Sequence, residues 1–198
     1  MLLTEGTWRE KVCDSLAEQG HTVVMPDVYR GESWDPANFP PPDFSVLLNW
    51  VHQRGSWEAV VKPDLVERVV PFLKNEKKVG NIGMIGFCWG AMICVRASHT
   101  EGLVQSIAGI HPSLIDADLV RDMTCPGLFC PAGNDPSFEP LKEVLDQKPF
   151  GDKCEYRAFP DMLHGWSVRG DLSDSNTARD VELVFDLVFS FFHKTLKQ

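Results

Sequence analysis

Gly86-Phe87-Cys88-Trp89-Gly90 is the stretch that decides the fold. It reads G-x-C-x-G. An apolar run, Val79 to Ile85, leads into it, and a helix-like run, Ala91 to Ala97, leads out. A tight strand-to-helix turn of this kind forces an unfavourable backbone angle on its central residue. Small residues at both ends relieve the crowding, which gives Gly86 and Gly90 a mechanical reason to be there. The turn sets the Cys88 sulfur at a strand tip and a helix N-terminus, where partial positive charge favours thiolate over thiol. The pentapeptide alone also admits a plainer reading, an inert buried cysteine in a Gly-flanked turn.

Two downstream segments favour the nucleophile. Val104 to Ile110 and Gly127 to Cys130 are the next strand candidates, and the second runs into Pro131-Ala132-Gly133-Asn134-Asp135-Pro136. Asp135 thus sits in a turn at the C-terminal end of a strand, where functional side chains collect in an open α/β sheet. Cys154 to Phe159 is a further strand candidate, followed by Pro160-Asp161-Met162-Leu163-His164-Gly165-Trp166. An Asp in a turn or a His in a loop means little by itself. The chain order Cys88, Asp135, His164, with each residue past a strand end, is the nucleophile–acid–histidine order of the α/β-hydrolase fold. In that fold the backbone N–H of the residue after the nucleophile, Trp89, donates to the oxyanion.

The elbow with cysteine, the turn Gly133-Asn134-Asp135-Pro136, and Phe159-Pro160 through His164-Gly165-Trp166 resemble the dienelactone hydrolase family. So do Leu16-Ala17-Glu18-Gln19-Gly20 and Val23-Val24-Met25-Pro26-Asp27-Val28-Tyr29-Arg30-Gly31. The likeness runs from about Trp8 to the C-terminal helix. It implies an α/β-hydrolase of cytoplasmic type that opens small lactones such as dienelactone. It also implies Cys88 as nucleophile, His164 as general base and then acid, and Asp135 as its orienter. Dienelactone carries a carboxylate, so a cation near these residues is expected. Arg169 is the first candidate and Arg30 the second. Trp166, beside His164, and Trp89, beside Cys88, are the expected apolar wall, with Trp34 as a further aromatic candidate.

The resemblance breaks at the front. Family members carry on the order of tens of residues more ahead of the first helix. That region supplies the first strands and a second oxyanion donor. Met1-Leu2-Leu3-Thr4-Glu5 is all that precedes here, with Glu5 and Gly6 as candidates for the missing donor. The sequence therefore predicts an α/β-hydrolase fold lacking its first strands. Losing one oxyanion donor costs around a hundredfold to a thousandfold in rate, so weakened hydrolysis is expected. The rival reading is a non-catalytic protein of the same fold that binds a small ligand or a partner. Turnover of p-nitrophenyl acetate or dienelactone separates the two.

Composition agrees with one globular domain over residues 1–198: 43% hydrophobic and 24% charged residues are ordinary values. A net charge of −9 argues against nucleic acid or an anionic membrane as partner, and the resemblance implies a small-molecule lactone or ester. No apolar run is long enough to span a bilayer. The start of the chain lacks the basic residues and long apolar core of a secretory signal. The six cysteines show no zinc-site spacing and read as reduced thiols, and the mechanism needs no cofactor. Elements are expected as a helix over Trp8 to Gln19 capped by Gly20, and a short strand over Thr22 to Met25. Helices are expected over Phe44 to His52, Pro63 to Lys74, Ser137 to Asp146 with Ser137 as N-cap, and Thr177 to Leu196.

Overall fold

The computed structural model describes residues 8–39 and 41–196. The chain divides into two compact units, Met1–Val79 and Gly80–Gln198.

The second unit is built on four parallel strands in the order β1 (Gly83–Phe87), β2 (Ser106–Ile110), β3 (Gly127–Cys130) and β4 (Glu155–Tyr156). Phe87 lies opposite Ile110, and Ile110 opposite Cys130, so the C-terminal ends of β1, β2 and β3 are level. Parallel strands covered on both faces read as continuous apolar runs rather than alternating ones. β2 and β3 obey this, buried at every position, and Ile107, Ile110, Leu128 and Phe129 are fully enclosed. β4 pairs through two residues only, and a bridge from Ala132 to Phe159 continues its line. Among the described residues β1 ends the sheet on the other side, and only Gly86 of it is buried.

The helices of this unit are α3 (Trp89–Ala97), α4 (Ala117–Arg121), α5 (Glu139–Asp146), α6 (Trp166–Arg169) and α7 (Ser175–Leu196). α7 buries Val184, Val188, Phe191 and Phe192, a stripe at helical spacing. Its Phe192 and Leu196 lie against Gly83 of β1. Ser137 Oγ accepts the Glu139 N–H at 3.4 Å, but the N-cap position falls to Phe138, one residue later than expected.

The first unit carries α1 (Trp8–Glu18), stopped at Gly20 as its sequence predicts, and α2 (Phe44–Arg54). The Asp43 side chain caps α2 by accepting the Ser45 N–H at 2.8 Å. A helical segment, 57–76, follows. It mixes ordinary turns with wide ones in which N–H groups reach five residues back, as from Val61 to Ser56 and Lys77 to Phe72. Pro63 and Pro71 lie within it. Proline has no N–H to give and collides with the carbonyl four residues earlier, a conflict that wide turns absorb. The expected strand over Thr22 to Met25 is absent. No ladder partner pairs with it among the described residues, and the strand preference of Val23 and Val24 is realised only through pairing.

Candidate active site

The elbow forms between β1 and α3. Cys88 sits at φ +55°, ψ −119°, a backbone conformation that costs a non-glycine residue on the order of 1–3 kcal/mol. Its N–H donates to Ile110 O at 3.1 Å, and its carbonyl accepts from Ala91 N–H at 3.1 Å. These bonds to β2 and α3 hold the strained turn. A Cβ on Gly86 would collide with the Gly90 carbonyl, so glycine is obligatory there. The corresponding expectation for Gly90 fails, since a Cβ at that position meets open space. Its backbone, rather than the absence of its side chain, is what crowds the turn.

The loops after β3 and β4 are docked on each other through three consecutive residues. Gly133 donates its N–H to Met162 O at 2.9 Å and leaves no room for a Cβ beside the Pro160 carbonyl. Asn134 Oδ1 accepts the His164 N–H at 2.6 Å. Asp135 Oδ1 lies 2.6 Å from His164 Nδ1, and its Oδ2 accepts the Ala132 N–H at 2.7 Å. The turn thus fixes backbone, loop and ring of the histidine in succession. The Cys88 thiol lies near enough to His164 for each to shift the other's titration. The structure therefore brings together the three residues expected from their chain order.

Their charges follow from this arrangement. The Asp135 hydrogen bond, then the one to Cys88, lifts His164 to about 9 against the opposing effect of burial. Burial by itself would push the Cys88 thiol up. Hydrogen bonds from His164 and Ser113, the His164 charge and the Trp89 N–H outweigh it and hold the thiol below its ordinary value. The remaining thiols with a resolved shift go the other way: burial raises Cys94, Cys130 and Cys154, and Cys125 to about 12. None of the six cysteines is in a disulfide. The two shifts run in the direction that favours a thiolate beside an imidazolium.

Beside His164 lies a cavity of about 450 Å³ lined in part by Leu163, His164, Trp166, Arg169 and Thr177. Trp166 and Arg169, the expected substrate contacts, both face it. Trp166 is more deeply set than a loop residue would be: it opens α6, packs against Phe159 with tilted rings 4.7 Å apart and has no partner for its indole N–H among the described residues. Arg169 is exposed and donates to His164 O at 3.3 Å. Arg30 is committed within the first unit, paired to Asp64 at 2.6 Å and bonded to Asp27 O at 2.9 Å. Glu5 and Gly6 lie outside the described residues.

Two neighbours escaped the sequence reading. Ser113 Oγ is 3.4 Å from Cys88 Sγ. The ring of His111 is fully buried and stands edge-on to that of His164 at 5.0 Å. Its Nε2 meets Ser167 Oγ at 2.9 Å. Burial, then the His164 charge, pushes His111 down to about 3, so it stays neutral. The signal for both was His111-Pro112-Ser113 directly after an apolar strand, the same strand-end logic that found Asp135. Among the described residues no cluster of His, Cys, Asp or Glu is arranged to hold a metal ion, and no helix is long and apolar enough to cross a membrane.

The dienelactone hydrolase family model matches residues 6–196. An uncharacterized AIM2 family protein of Schizosaccharomyces pombe is 31% identical over 188 residues, covering 92% of this chain and 75% of its own length. A carboxymethylenebutenolidase homolog of Rattus norvegicus is 31% identical over 165 residues, covering 80% of this chain and 64% of its own. The crystal structure of a dienelactone hydrolase-like promiscuous phosphotriesterase from metagenomic libraries superposes with a TM-score of 0.61 at 20% identity, covering 92% of this chain and 80% of that one. That likeness is one of fold, the α/β-hydrolase fold.

Proposed function

The chain belongs to the dienelactone hydrolase family, and from that premise we propose that it hydrolyses small lactones or esters by acyl transfer through Cys88 to water. The observation that supports this most is the Asp135–His164 hydrogen bond at 2.6 Å beside a Cys88 sulfur that sits on a strained turn and has its thiol lowered by that histidine. The Cys88 thiolate attacks the carbonyl carbon, and the carbonyl π pair moves onto oxygen. The N–H of Trp89, the residue after the nucleophile and the first of α3, donates to that oxyanion. Collapse breaks the ring or ester C–O bond, and His164 gives its proton to the departing oxygen. The product of this half is a thioester on Cys88. Water, deprotonated by the now neutral His164, attacks the thioester and releases the carboxylate and the thiolate.

Asp135 keeps Nδ1 of His164 occupied, so that Nε2 serves the sulfur and the water. A thiolate suits activated esters and lactones because it is a better leaving group than an amine. Arg169 and Trp166 bind the substrate on the cavity side of His164, the cation meeting a carboxylate and the indole an apolar ring. The test is turnover of p-nitrophenyl acetate and of dienelactone by the native chain and by Cys88→Ala. Turnover by the native chain that drops by several orders of magnitude in the variant supports the proposal. Turnover undiminished in the variant contradicts it, and ligand binding with no turnover in either favours a non-catalytic role.

A further inference from the structure

The nucleophile is gripped from a side that the triad does not supply. Ser113, in the loop that follows β2, makes two contacts with one residue. Its N–H donates to the Cys88 carbonyl at 3.3 Å, and its Oγ lies 3.4 Å from Cys88 Sγ. The elbow's own turn reaches that carbonyl through the Ala91 N–H at 3.1 Å.

The hydroxyl's place is set by the fold and not by the cysteine. His111, two residues earlier, is locked at both ends: its N–H donates to Cys130 O at 2.9 Å, and its Nε2 meets Ser167 Oγ at 2.9 Å. His111 and Leu114, on either side of Ser113, both hold positive φ, +38° and +61°. Non-glycine residues keep such angles only where the surroundings over-determine them. The loop therefore brings a preorganised hydroxyl to the sulfur. A thiolate has no proton to offer, so in the reactive state the hydroxyl must be the donor.

We propose that Ser113 is a positioning residue for the nucleophile: its O–H donates to the Cys88 thiolate while its N–H anchors the Cys88 carbonyl, so that the sulfur stands aligned between His164 and Trp89 before substrate arrives. This rests on Cys88 being the nucleophile. The lowering of the Cys88 thiol by Ser113 agrees with the geometry. Ser113 acts on the resting thiolate and not on the oxyanion. As the sulfur bonds to the carbonyl carbon its charge passes to oxygen, and the Ser113 hydroxyl loses its anionic acceptor.

That division of labour has a signature. A donor to the thiolate increases the thiolate fraction at neutral pH but slightly damps the nucleophilicity of each thiolate, since nucleophilicity falls as thiol pKa falls. The experiment is the pH–rate profile of iodoacetamide alkylation at Cys88, mapped by peptide mass spectrometry, in the full native chain, Ser113→Ala and Ser113→Thr. In Ser113→Ala the midpoint moves to higher pH, the rate at neutral pH falls about three- to tenfold, and the alkaline plateau stays equal or rises. Ser113→Thr, which keeps the hydroxyl, restores the midpoint.

An unchanged midpoint in Ser113→Ala overturns the proposal. So does a lowered plateau with no shift, which is what a merely structural role gives. Ser113→Gly, which keeps the N–H and removes the hydroxyl, must shift as Ser113→Ala does. Native Cys88 titrating like an ordinary thiol would contradict the nucleophile reading itself, an outcome distinct from failure of the Ser113 variants.

Discussion

The loop after β2 and the loop after β4 each deliver a histidine to the same site, with rings 5.0 Å apart, yet their titrations are shifted in opposite directions. His164, with 24% of its side chain exposed, is lifted to about 9 by Asp135 and Cys88. His111, with none of its surface exposed and a neutral hydroxyl for a partner, is pushed down to about 3. Proximity to the nucleophile does not decide which imidazole works. A buried carboxylate on Nδ1 and a nearby thiol raise His164, and their absence leaves His111 neutral. Its neutrality is useful, because a second cation there would oppose the imidazolium.

The strongest way to break this contrast is Asp135→Asn, which removes the carboxylate and nearly keeps the shape. His164 then loses its main support. The esterase rate should fall about ten-thousandfold. The Cys88 alkylation midpoint should also rise, because the imidazolium no longer favours the thiolate. A variant that keeps native turnover would show that the carboxylate is not what sets His164 apart.

Gly133→Ala attacks the contrast through packing. The new Cβ meets the Pro160 carbonyl and must separate the acid turn from the histidine loop, leaving the β2 loop untouched. Thermal or denaturant unfolding should show a loss of about 1–3 kcal/mol, with a fall in turnover. Gly90→Ala, where the Cβ meets open space, should be neutral or stabilising by up to about 1 kcal/mol. Equal losses in the two variants would refute the packing account.

The pH dependence of stability separates the two histidines by sign. The folded-state value of His111 is about 3 against an ordinary 6.5. Between those values the unfolded chain binds a proton that the folded chain refuses, so stability falls as the pH is lowered through that window. His164 is raised, from 6.5 to about 9. Its contribution is complete below 6.5 and is lost as the pH climbs through about 9. Denaturant titrations from pH 3 to pH 10 should therefore show losses on both sides, and His111→Phe should flatten the acid side only. The smallest effect expected is that of Arg169→Ala. The KM for a carboxylate-bearing lactone should rise about three- to tenfold, with less change for p-nitrophenyl acetate, because an exposed cation contributes modestly.

These contrasts also explain what the sequence could and could not convey. β1 to β3 were readable because short apolar runs ended in polar turns, and the order of Cys88, Asp135 and His164 past strand ends carried the site. Gly133 and Asp135 were visible as a turn, but the use of Asn134 Oδ1 to hold the His164 backbone needed coordinates. His111 and Ser113 obeyed the same strand-end rule and were passed over, since the rule does not say which strand tips are neighbours. That β2 lies beside the elbow strand is a fact of pairing, written in the register Phe87 to Ile110. Thr22 to Met25 failed for the converse reason, a strand preference without a partner. The wide turns around Pro63 and Pro71 have no periodic signature, because each residue keeps a helical backbone while the bonding pattern slips.

The central claim is that Cys88 carries the acyl group. Its most direct test is to quench the native chain with acid during turnover of p-nitrophenyl acetate and map the peptides by mass spectrometry. One acetyl group on the peptide that holds Cys88, absent in Cys88→Ala and accumulating when His164 is replaced by a residue that cannot activate water, is the predicted result. Turnover with no acetyl on Cys88 under any quench, or acetyl found on another residue, would contradict it.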